Sequence, residues 1–232
     1  MTIQERFAHW KKTEAEKLRP MNAKQRAGYI LHYYRFWIAG VLLLLAVGFY
    51  IGDAVVQSQK EILLQGFFTN DAYNLFPAEK IEKDYAATQD LTKRQRIVFD
   101  DALYIDLGGE ASDYTAASNG KLVAYTMTHE LDFVVTSDEV LAYYKDSMPM
   151  KDLREILPAD LQQQLGGALY TATDSEGKPS CLAVDMTGSR FVAGTGADVD
   201  PRVEHTYYLF VPESAPHTEQ IVSFLRYAFR LE

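Results

Sequence analysis

Apolar residues are spaced along this chain in three different ways, and each spacing predicts a different kind of element. Residues 37–52, WIAGVLLLLAVGFYIG, form an unbroken apolar run. Before it, TIQERFAHWKKTEAEKLRP mixes apolar and charged positions at helical spacing, which predicts a short amphipathic helix stopped by Pro20. Asn22 then has the residue type of an N-cap, with Gln25 at the third helical position completing a capping box. The helix that starts there is expected to run straight into the apolar run through AGYILHYYRFW.

After GDAVVQSQK, read as a short polar connector, compact apolar runs alternate with helical patterns. EILLQGFF (61–68), RIVFDDALYI (96–105) and LDFVVTS (131–137) predict strands. Between them, residues 75–88 and the later part of SDYTAASNGKLVAYTMTH predict helices, the latter with Leu122, Tyr125 and Met127 on one side. Ser137 has the type of an N-cap for DEVLAYYK, with Asp138 and Glu139 in the first turn. KDLREIL and PADLQQQL follow as short helices, with Pro158 suited to a first helical position. A hairpin around Asp174–Gly177, a strand at HTYYLFVP (205–212) and an amphipathic helix at HTEQIVSFLRYAFR close the chain. Strands alternating with helices predict a three-layer α/β domain with a partly parallel sheet. The domain organisation expected is an arm at 1–35, a transmembrane helix at 36–52, a linker at 53–60 and the α/β domain at 61–232.

Three readings compete for the apolar run. A buried core helix would have a polar face, and VLLLLAVG has none. A cleaved signal peptide needs a short basic leader and a small-residue cleavage site, whereas Ala46-Val47-Gly48 falls inside the run. A single permanent span fits the aromatic residues at both ends, Tyr33, Tyr34, Phe36 and Trp37 on one side and Phe49 and Tyr50 on the other. Gly48 and Gly52 also form a GxxxG spacing, read here as chance at the edge of the span rather than as a dimer contact.

Charge gives the span a direction. Residues 1–35 hold eight Lys or Arg against three Glu, and the remaining residues hold fifteen basic side chains against twenty-nine acidic ones. The positive-inside bias then places the arm in the cytoplasm and the acidic body outside the cell membrane, with a single pass. Lipid is the first partner implied, since basic groups in the arm are attracted to anionic headgroups. The acidic balance of the body argues against nucleic acid as a partner. Cys181 is the only cysteine, which excludes an intramolecular disulfide and a zinc cluster, and no cysteine follows the run to carry a lipid anchor.

No catalytic constellation, metal site or cofactor motif is legible. His129, His205 and His217 lack metal-ligand spacing, and THEL lacks the second His of a zinc-protease helix. Asp100 and Asp101, with Asp106, Glu110 and Asp113, match no calcium loop and read as turn and capping residues. GTGAD (194–198) is followed by no helix and no GK[ST], so it reads as a loop. A serine triad lacks a GxSxG elbow. One place offers a ligand site. Asp132, Thr136, Ser137 and Asp138 sit where a strand meets a helix start, and backbone N–H groups there can hold an anion, although capping by Ser137 also explains them.

KLVAYTMTHELDFVVTSDEVLAYYKDSMPMKDLREILP (121–158), DSEGKPSCLAVD (174–185) and YYLFVPESAPHTEQIVSFLRYAF (207–229) carry a resemblance. The chain resembles single-span membrane-anchored proteins of Gram-positive bacteria with a shortened extracytoplasmic lobe similar to one lobe of a two-lobed solute-binding protein. The resemblance implies an α/β fold and solute capture. The chain departs from full receptors, because the nineteen residues between CLAVDM and TYYLFVP are too few for a second lobe. The reading favoured is therefore a tethered, non-enzymatic binding or interaction module accessory to another envelope protein. A receptor for a small-molecule ligand, with a pocket lined by Tyr104, Tyr114 or Tyr143, is the alternative, and an envelope hydrolase with a dispersed site is the second alternative.

Overall fold

A computed structural model of the protein describes residues 3–108, 112–173, 177–197, 200 and 206–231. The chain divides into two units, Met1–Gln59 and Lys60–Glu232.

The first unit is helical. α1 (Ile3–Leu18) and α2 (Ala23–Tyr33) are joined by a turn at Pro20, and Asn22 and Gln25 form the expected capping box. The two helices contact each other in antiparallel order, with Trp10 edge-on to Tyr34 and the Tyr29 hydroxyl donating to Glu14 at 3.3 Å. Glu14 also pairs with Lys17 at 2.8 Å. α2 does not run unbroken into the apolar run. Tyr34 leaves helical geometry (φ −102°, ψ 13°), and α3 (Arg35–Ser58) starts afresh. The expected connector is also helical, since α3 continues through Val55, Val56 and Ser58. At 24 residues α3 is about 36 Å long, and none of its residues is buried. It is a helix long and apolar enough to cross a membrane.

The second unit is a six-stranded sheet covered on both faces. The strands are β1 (Glu61–Thr69), β2 (Gln95–Leu103), β3 (Phe133–Ser137), β4 (Leu169–Thr173), β5 (Pro179–Asp185) and β6 (Tyr207–Phe210). Their order is β2-β1-β3-β6-β5-β4, with β1 parallel to β2 and β3, and the β3–β6, β6–β5 and β5–β4 pairs antiparallel. The chain crosses from β1 to β2 through α4 (Ala78–Ala86) and from β2 to β3 through α5 (Asp113–Met127). α6 (Asp138–Lys145), α7 (Leu153–Ile156), α8 (Ala159–Leu165) and α9 (Thr218–Phe229) complete the helices. Residues 174–176 of the expected hairpin turn between β4 and β5 lie outside the described residues, as do His205 and Glu110.

Strand alternation sorts the core into two halves. Leu64 and Phe68 of β1, Phe133 and Val135 of β3 and Cys181 of β5 face α4, α8 and α9, whereas Phe67, Val134, Ala183 and Phe210 face α5 and α6. Three of the five β3 side chains are apolar and the other two are Thr136 and Ser137, and all five are buried, as a central strand covered on both faces requires. Burial raises the Cys181 thiol above its ordinary pKa. On α5, Leu122 is buried and Tyr125 packs edge-on against Phe67, but Met127 is 75% exposed and does not join them.

Polar side chains close the ends of these elements. Pro77 precedes α4 and has no side-chain acceptor, so the Asp101 carboxylate of β2 accepts the Ala78 N–H at 2.9 Å instead. Asp71 accepts the N–H groups of Leu75 and Phe76 at 2.9 and 2.6 Å and shapes the turn after β1. Asp100 pairs with Lys121 of α5.

Gly66 is where the sheet packs tightest. A Cβ there would lie 2.2 Å from Cζ of Phe133, whose ring is stacked on Phe224 at 4.6 Å and cannot retreat. Gly66→Ala is expected to destabilise the fold by about 1–3 kcal/mol, the usual cost of overpacking a dense core. Chemical denaturation of the full chain in detergent checks it. A variant as stable as the parent would mean the Phe133 ring has somewhere else to go.

Candidate functional site

The four residues singled out by sequence fall at two ends of one strand. Asp132 precedes β3, and Thr136, Ser137 and Asp138 lie at its far end, about 16 Å away at strand rise. The structure therefore does not bring Asp132 together with the other three.

At the far end polar groups pair with one another within the chain. The Thr69 hydroxyl donates to that of Thr136 at 2.6 Å, with both residues buried. Asn70, in left-handed geometry, exchanges two 2.8 Å hydrogen bonds with the backbone of Ile105, and its carbonyl accepts the Tyr207 hydroxyl at 3.1 Å. Desolvation raises the pKa of that phenol. Ser137 occupies the N-cap position of α6, but its side chain makes no capping hydrogen bond. Asp138 accepts the Glu139 N–H at 3.0 Å and is exposed.

Asp132 is wholly buried and acts as a junction. Its backbone N–H donates to the Gln65 carbonyl at 2.9 Å, and its Oδ2 accepts the Gln65 N–H at 2.7 Å. Its Oδ1 accepts the backbone N–H of His217 at 3.0 Å, and the His217 Nδ1 lies 3.1 Å from Oδ2. A carboxylate oriented on imidazole Nδ1 is also half of a hydrolytic triad. The other half is missing here: among the described residues no hydroxyl or thiol hydrogen-bonds His217 Nε2, and the nearby Ser214 hydroxyl donates to the Thr126 carbonyl at 2.7 Å. Among the described residues no three His, Cys, Asp or Glu side chains gather in metal-binding geometry.

A cavity of about 730 Å³ lies elsewhere, where sequence reasoning did not look. Tyr73, Leu75 and Pro77 from the turn after β1, Lys80, Ile81 and Asp84 of α4, the loop Arg190–Ala197 after β5, and Tyr227 and Arg230 at the end of α9 line it. The expected pocket tyrosines are not among them. Tyr104, Tyr114 and Tyr143 are exposed in the layer of α5 and α6, with the Tyr114 hydroxyl donating to the Ala102 carbonyl. The loop GTGAD, read as a loop, does turn, with Gly194 and Gly196 in left-handed geometry beside Thr195 and Ala197 of the cavity wall. Since β5 points the same way as β1, the cavity opens at the carboxyl ends of both strands, where open α/β sheets hold ligands. Its volume is in the range of small-molecule sites.

Comparison of the chain with protein-family models, with curated proteins and with solved structures finds no match. The resemblance to a solute-binding lobe is not confirmed by these comparisons, which leaves a mixed α/β unit with a six-stranded sheet and one apolar helix as the established description.

Burial raises the Asp132 carboxyl above its ordinary value of 3.8, against the lowering effect of its hydrogen bonds to Gln65 and His217. The folded chain therefore holds that proton more tightly than the unfolded one. The stability owed to this group is greatest below 3.8 and falls as pH rises through the raised value. Asp132→Asn removes this slope and leaves one buried N–H without its acceptor, a loss of about 1–3 kcal/mol. Denaturant titrations across pH are expected to show the gap between parent and variant narrowing as pH rises above that ordinary value. A gap that widens would reverse the assignment.

Proposed function

We propose that this chain is a membrane-tethered, extracytoplasmic, non-enzymatic binding and interaction module, accessory to another envelope protein. The observation that carries the reading is α3, 24 residues of which none is buried and whose apolar side chains, Leu42, Leu43, Leu44 and Leu45 among them, face no protein. Such a helix is at home in hydrocarbon, where its backbone satisfies itself and its side chains need no partner. The basic arm and acidic body support an orientation with the N-terminus in the cytoplasm. A tether also confines the α/β unit near other membrane proteins, which raises its effective concentration toward them. Exposed Tyr114, Val123 and Met127 on α5 and Tyr143 on α6 support an interaction role, since apolar groups in one layer gain by being covered.

The second reading is a tethered receptor for a small molecule. The cavity at the carboxyl ends of β1 and β5 favours it.

Topology tests the first reading. Fused after Glu232, alkaline phosphatase, which needs export to fold, is expected to be active, and a green fluorescent protein that matures in the cytosol is expected to stay dark. The chain is also expected to remain with the membrane through alkaline carbonate extraction. The opposite pair of reporter signals, or release into the carbonate supernatant, would end the proposal.

A further inference from the structure

The cavity beside α4 and α9 differs in charge from the body that carries it. Among the described residues three basic side chains line it, Lys80, Arg190 and Arg230, against Asp84 and Asp200, in a body with about half as many basic as acidic groups. Arg190 is held in place by its backbone N–H, which donates to the Ala228 carbonyl at 2.8 Å. Its guanidinium lies 4.1 Å from the centre of the Tyr227 ring. Its Nε is buried with no acceptor, and among the described residues no carboxylate pairs with the group. A half-buried cation with no carboxylate partner among the described residues favours an anion at the part of its guanidinium that lines the cavity.

Part of the remaining wall is aromatic and apolar, beside the polar Asn74 and Thr195. Phe191 and Tyr227 meet at 6.2 Å, Tyr73 stands partly exposed nearby, and Leu75, Pro77 and Ile81 complete that side. Aromatic walls favour planar partners through offset or edge contacts, and an arginine fork matches the two oxygens of a carboxylate or phosphate. Asp84 and Asp200 set a limit, because each would repel a second negative group.

We propose that this cavity binds a small planar anion, an aromatic or heteroaromatic ring bearing one oxyanion group, with Arg190 holding the oxyanion and Tyr73, Phe191 and Tyr227 receiving the ring. The proposal rests on the receptor reading above and names the chemistry of its ligand. Lys80 and Arg230, both exposed at the rim, draw the anion in by long-range attraction.

Phenyl phosphate is the probe, titrated calorimetrically into the full chain in nanodiscs of zwitterionic lipid, with inorganic phosphate and phenol as its two halves. Phenyl phosphate is expected to bind at least about tenfold more tightly than either half, since ring and oxyanion contribute together. Arg190→Gln is expected to weaken it by about tenfold or more, with the loss of the charge-assisted fork. Lys80→Gln, at an exposed site that leaves folding alone, is expected to weaken it by a smaller factor that vanishes as salt rises from about 50 to about 500 mM. Inorganic phosphate binding as well as phenyl phosphate, no heat from any probe, or an Arg190→Gln variant that melts like the parent and binds like it would each overturn the proposal. Should Arg190→Gln fail to fold, the Lys80→Gln salt series decides alone, and a salt-independent affinity overturns it. Binding in nanodiscs does not depend on which way the chain crosses a membrane, so this result and the reporter result fail separately.

Discussion

One buried carboxylate joins the three pieces on which the α/β unit is built. Asp132 extends the β1–β3 pairing by one residue and takes the N–H that opens α9, so the middle of the sheet and the last helix share a single anchor. A buried charge is tolerated only with such a set of donors, and their geometry leaves little freedom in where α9 begins. From there α9 runs along the sheet, packs Ile221, Phe224 and Leu225 into the core, and ends with Tyr227 and Arg230 on the cavity wall. The cavity is thus positioned from the opposite end of the strands.

The two faces of the sheet are built differently. The face under α4, α8 and α9 holds a cluster of rings in which Phe68, Phe76, Phe99, Phe133 and Phe224 meet edge-on or stacked. The face under α5 and α6 is smaller, with Leu122, Val134, Leu141 and Ala183 at its centre. Rings pack with more directional preference than aliphatic groups, and the tight spot at Gly66 lies on the aromatic face, so that face tolerates less change.

Much of the fold was legible because periodicity reports burial directly. The six strands and the alternation of helices around them follow from runs such as EILLQGFF and LDFVVTS, whose length and composition suit central strands, and the Asn22–Gln25 capping box follows from two residues at fixed spacing. Features set by contact over long separations were not legible. Asp132 reads as part of a local cluster with Thr136, Ser137 and Asp138, but its partners Gln65 and His217 are 67 and 85 residues away. Capping of α4 by Asp101 comes from a neighbouring strand, across 23 residues. The break at Tyr34 and the helical continuation to Ser58 have no Pro or strong cap to announce them. The cavity draws on four separate segments, and the one sequence feature that belongs to it, the paired glycines of GTGAD, reads as a loop and marks only one wall.

Cys181 lies inside the core, 1% exposed and paired with Thr171 of β4, with its thiolate disfavoured by desolvation. Since it is the chain's only sulfhydryl, maleimide chemistry on the native fold would find nothing to modify. A cysteine introduced at any chosen surface point would then be a unique attachment position for a spin label or fluorophore, with no background to subtract and no native thiol to remove first.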